Sequence, residues 1–129
     1  MRVVHLAAGF FLAFLTLGSQ SSAVADEAVD PRGLEVFTSH LRQLLAHRCV
    51  NCHGAGSVES DFDMSTREKL LAGGAGGVAV VPGKATESRM YRLAARLEEP
   101  HMPEEGDALT EEELRWLAEW INRGAPYDK

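Results

Sequence analysis

Cysteine is nearly missing from this chain: its 129 residues contain two, Cys49 and Cys52, and none elsewhere. Zinc would therefore lack a full ligand set unless His40 or His47 joined Cys49, Cys52 and His53, because no second Cys/His cluster exists. A basic surplus is also lacking, with 13 Lys and Arg against 19 Asp and Glu, which argues against a nucleic-acid binder. No alternation of strand and helix patterns is found, so a thioredoxin-like dithiol has no βαβ frame to sit in. Internal repeats and convincing β-periodicity are absent as well, which leaves an all-α fold. The one long apolar run, near the N-terminus, is short for a membrane span.

What the chain does have is Cys49-Val50-Asn51-Cys52-His53, the C-x-x-C-H pattern of covalent c-type haem attachment. Two thiols spaced by two residues reach the two vinyl groups of one haem, and the adjacent imidazole meets the iron from one side. A structural disulfide would use both cysteines but would give His53 no role. Haem accounts for all three residues.

The N-terminus agrees with this reading. Arg2 precedes the apolar run Val3 to Leu17, broken only by His5, Gly9 and Thr16, and polar Ser19 to Ser22 lead to Ala23-Val24-Ala25. These are the n-region, h-region and cleavage site of a secretory signal spanning residues 1–25, with cutting before Asp26. An uncleaved anchor is the alternative, and a lipoprotein anchor is excluded because no cysteine lies near that site. Bacterial haem attachment to C-x-x-C-H takes place outside the cytoplasm, so the expected location is the periplasm. Cleavage would leave 104 residues, enough for one domain, with a net charge of −7. Such acidity suits a soluble protein steered toward a basic partner.

Residues 26–33 read as a flexible leader, followed by one domain over 34–129. Leu34, Phe37, Leu41, Leu44 and Leu45 share one helical face, and this helix runs into Cys49 until Asn51 and Gly54-Ala55-Gly56 break it. Ser65 and Glu68 form a capping-box signal for a short helix through Leu71. Four glycines in Gly73-Gly74-Ala75-Gly76-Gly77 then demand close approach or positive φ, with a haem edge or a surface loop as the two readings. Thr86 opens a third helix through about Leu97, with Met90, Leu93, Ala94 and Leu97 on its apolar face and Arg89, Arg92 and Arg96 opposite. That basic stripe reads as a solvated face, or as a partner or propionate contact. Thr110 and Glu113 box the last helix, which Gly124 and Pro126 end. Its apolar arc of about 160–200°, from Leu114 to Ile121, implies two packing partners, expected to be the first helix and the haem surround.

The second axial ligand decides the chemistry, since one protein ligand leaves iron open to small molecules and two favour electron transfer. Candidates are Met64, Met90, Met102, His40, His47 and His101. Met90 lies on an apolar helix stripe, where a core thioether is the default. Met64 follows His53 by only 11 residues, and His40 and His47 sit on the proximal helix. Met102 lies in Pro100-His101-Met102-Pro103, whose prolines keep it out of either helix, and 49 residues separate it from His53. Met102 is the expected ligand and His101 the runner-up.

Together these residues resemble a known family. Cys49 to Gly54, Asp63-Met64-Ser65-Thr66-Arg67-Glu68, Val81-Pro82-Gly83, His101-Met102-Pro103, Leu109 to Glu113 and Trp120 to Pro126 follow the pattern of the planctomycete-type cytochrome c domain over about 41–127. The resemblance implies a class I-like bundle of about four helices around one covalent haem c. It implies thioethers from Cys49 and Cys52 and iron ligation by His53 and Met102. One departure is Glu104, where the family usually has a second proline. The function implied is one-electron transfer between redox partner proteins, a donor and an acceptor, with no bond-making residue set and hence no enzyme. Rival readings are a five-coordinate haem sensor or peroxidase-like enzyme, and an electron-transfer subunit docked to a larger exported or membrane dehydrogenase. Membrane contact is expected only if the signal segment stays uncleaved.

Overall fold

The computed structural model describes residues 29–128, so the signal expected over 1–25 and the start of the leader lie outside it. The first helix starts at Pro31, not Leu34. Asp30 Oδ1 accepts the backbone N–H groups of Arg32 at 2.8 Å and Gly33 at 3.0 Å, and Pro31 takes the first helical position. The leader over 26–33 thus yields its last three residues to the helix.

α1 (Pro31–Val36) continues through a π-turn at Phe37–Leu41 into α2 (Arg42–Arg48). Cys49 breaks the run with φ −132°, and one further turn, α3 (Val50–His53), carries the motif. Asn51 lies within that turn, so the expected break falls instead at Cys49 and Gly54. Beyond it, Ser57 and Val58 (β1) pair back onto Gly54 and His53.

α4 (Arg67–Ala72) begins one residue later than the Ser65/Glu68 signal. Thr66 caps it by accepting from Lys69 N–H, while Ser65 N–H is taken by Asp63 Oδ1 at 2.8 Å. α5 (Arg89–Ala94) is shorter than expected, and Thr86 lies inside a 3₁₀ turn, Ala85–Glu87. Ser88 stands at the cap position, yet its buried hydroxyl serves the fold instead, accepting from Val81 N–H and donating to Lys84 O, both at 2.9 Å. Leu97 falls beyond the helix and is 69% exposed.

α6 (Glu111–Asn122) has the full Thr110/Glu113 capping box. It packs across α1 and the π-turn on one side and the 3₁₀ turn and α5 on the other. Trp120, Leu117 and Ile121 are buried together with Leu41, Leu70 and Val80. Phe37 and Tyr127 stack on one another at 4.6 Å beside Trp120, whose Nε1–H donates to Pro126 O at 2.8 Å. Arg67 donates to the carbonyls of Gly124 and Ala125, and Tyr127 donates to Met64 O, so the C-terminal tail is tied to the segment after the motif. Among the described residues the architecture is helical with almost no strand, and no helix is long and apolar enough to cross a membrane.

Candidate functional site

Cys49, Cys52 and His53 come together on one turn because α2 delivers the chain to Cys49 and α3 winds it once more. The N–H groups of Cys52 and His53 both reach Cys49 O, at 3.2 and 2.9 Å. Gly54 is needed directly after them: a Cβ there would lie 2.6 Å from both the carbonyl oxygen and Cγ1 of Val50. Both thiols are free, with Cys52 exposed and Cys49 partly buried. Burial pushes the Cys49 thiol up to about 11, against a lesser pull from Arg48, so this sulfur is neutral at pH 7.

His53 is held by the backbone. Its Nδ1 lies 3.1 Å from Glu59 O. A carbonyl oxygen only accepts, so Nδ1 carries a proton, and in the neutral ring the lone pair is then on Nε2. This is the orientation a metal-binding imidazole requires, with one nitrogen fixed by a hydrogen bond and the other open. Phe62 tilts against the ring at 5.3 Å and restricts it further. Glu59 was not legible as a site residue, since a backbone carbonyl leaves no side-chain signature.

The methionines separate clearly. Met64 donates its own N–H to His53 O at 2.7 Å, and its side chain is 3% exposed within the core. Met90 is partly buried and packs against the same core. Met102 lies outside any helix, half-buried, with its N–H donating to Leu93 O at 3.1 Å. Arg48, the residue before Cys49, donates to Asp107 O, which ties the motif to the segment just after the Met102 loop. His40 stacks on Trp116 at 4.2 Å, His47 is exposed on α2, and His101 faces Arg96 and Glu99.

The glycine run is filled by protein contacts. An added Cβ would meet Gly77 O at Gly73, Ser60 O at Gly74 and the Arg89 guanidinium at Gly76. Nor do Arg89 and Arg92 form a solvated stripe: both donate to Glu98, at 2.8 and 2.9 Å.

The donor set suits a covalent haem: two free thiols on one turn and an imidazole with Nε2 available. Residues 49–106 match the family model for planctomycete cytochrome C. No curated protein and no solved structure gives a significant match.

Proposed function

We propose that this protein, whose residues 49–106 match the family model for planctomycete cytochrome C, is an exported monohaem c-type cytochrome carrying one electron at a time between redox partners. The observation that carries the proposal is the His53 ring, oriented by the Glu59 carbonyl with Nε2 open, on the same turn as two free thiols. Haem c, when bound, supplies an iron that alternates between ferric and ferrous. Cys49 and Cys52 would hold it through thioethers, and His53 and Met102 would supply the two protein ligands to its iron. One such group would give the small acidic domain an added apolar surface to pack against.

The chain's own residues set the properties. Cys49 sits partly buried, which suits a neutral thioether better than a thiolate. The hydrogen bond to Glu59 O fixes the His53 ring and leaves no imidazole rotation to accompany a change of charge. A methionine opposite histidine raises the potential relative to two histidines. No acid–base pair or nucleophile is assigned, because moving an electron needs fixed ligands rather than bond-making groups. Residues 1–25 direct export to the periplasm, where haem is attached.

The test is the absorption spectrum of the chain matured with its own signal, together with the variant Met102→Ala. Wild type is expected to show covalent, low-spin haem with the weak far-red band of methionine-to-iron charge transfer, and the variant to lose that band and bind exogenous ligands. A variant spectrum identical to wild type would remove Met102 as ligand. A high-spin oxidised wild type would replace the carrier with a five-coordinate, ligand-binding haem.

A further inference from the structure

We propose that Glu98 is a positioning residue for Met102, clamping the loop that presents this ligand. The inference rests on the reading of Met102 as the axial ligand and adds what holds it in place. After α5 the chain turns back through Arg96, at φ +58°, and returns along the helix it has just left. Two backbone bonds pin the returning strand of the loop: Leu97 N–H to Arg92 O at 2.8 Å, and Met102 N–H to Leu93 O at 3.1 Å. Between them the Glu98 carboxylate receives one guanidinium N–H on each oxygen, Arg89 Nε on Oε1 and Arg92 Nε on Oε2.

That arrangement differs from the surface pair on α6. Glu98 is about one-third exposed, as are both arginines, whereas the Arg115–Glu112 pair is mostly in solvent. Arg92 is further held by its Nη1 donating to Glu87 O at 2.6 Å. Arg89 is seated on Gly76, where a Cβ would come 2.0 Å from its Nη1. The glycine loop, α5 and the Met102 loop therefore meet at one carboxylate, four residues before Met102. Releasing it leaves the loop with its two backbone bonds and the contacts of His101 with Arg96 and Glu99, so the methionine leaves its place more often.

A fluctuating ligand is read by how fast an added ligand takes its place. Haem-loaded wild type, Glu98→Ala, Glu98→Gln, Gly76→Ala and the control Glu112→Gln are mixed with imidazole in the ferric state, and urea unfolding is followed in parallel. Imidazole binding is expected to accelerate about fivefold in Glu98→Ala, the size of a small ion-pair network, and less in Glu98→Gln and Gly76→Ala. Glu112→Gln should match wild type. A lowered urea midpoint with an unchanged imidazole rate in the Glu98 and Gly76 variants would mark a purely structural ion pair and overturn the proposal. If Glu98→Ala fails to mature, Glu98→Gln and Gly76→Ala decide by the same readout. Met102→Ala separates the two readings: if it leaves spectrum and rate untouched, the ligand assignment falls. If it accelerates binding and the Glu98 variants do not, only the clamp falls.

Discussion

Two glycines, two residues apart in sequence, should answer the same substitution with opposite signs. Gly54 follows His53 directly and has extended φ and ψ of −126° and −177°, so alanine meets no backbone strain there. The obstacle is steric, since the new Cβ would lie 2.6 Å from Val50 O and Val50 Cγ1, where ordinary contacts begin near 3.4 Å. Val50 O belongs to the turn carrying Cys49, Cys52 and His53, so relief requires moving that turn. Overpacking of this kind costs about 1–3 kcal/mol. Loss of glycine's freedom in the unfolded chain returns about 0.4–1 kcal/mol. The net expectation for Gly54→Ala is a destabilisation of about 1–2 kcal/mol, with less covalent haem per chain because the turn is displaced. At Gly56 no atom lies within 4 Å of an added Cβ, and its φ is not positive. Only the unfolded-state effect remains, and Gly56→Ala should stabilise by about 0.4–1 kcal/mol. Urea unfolding of the haem-loaded proteins measures both. Equal or greater stability in Gly54→Ala than in wild type would refute the close approach behind Gly54.

Met64→Leu, which conserves volume in the core, should cost under about 1.5 kcal/mol and retain the far-red band, because the Met64 side chain is buried in the core; loss of the band would make Met64 the ligand. Trp120→Phe removes the donor to Pro126 O and leaves a void between Phe37 and Tyr127. It should lower stability by about 2–4 kcal/mol in denaturant titration, and a change under 0.5 would contradict the burial of that hydrogen bond. Asp63 should shape the acid limb. The hydrogen bond from Lys69, then those from Ser65, hold its carboxyl down at about 2 against an ordinary 3.8. Its stabilisation is complete above the ordinary value and vanishes as pH falls through the lowered one. Asp63→Asn should therefore flatten the loss of stability between about pH 4 and pH 2, and an unchanged acid limb would rule the contact out.

Contiguous signals were legible from sequence alone. The C-x-x-C-H pattern, the Thr110/Glu113 capping box and the all-α periodicity each depend on residues within a turn or two of one another, so the chain's local chemistry is enough to write them. Segments 49–54, 81–83 and 101–103 also resembled a family whose model matches residues 49–106. The helix starts at Pro31, Arg67 and Arg89 needed more. Asp30 was passed over as cap, Asp63 had claimed Ser65 N–H, and Ser88 had turned its hydroxyl toward Val81 and Lys84. The seat of Arg89 on Gly76 and the pairing of the arginine face involve Glu98, which reaches Arg89 and Arg92 only after the chain folds back at Arg96. Likewise the open Nε2 of His53 depends on a carbonyl six residues on, aimed by the turn between them. The sequence by itself determined the C-x-x-C-H pattern and that the chain around it is helical. Tertiary structure alone decided which oxygen meets the imidazole, which methionine is buried in the core and which carboxylate Arg89 and Arg92 share, because each is a contact between groups whose meeting depends on how the backbone closes.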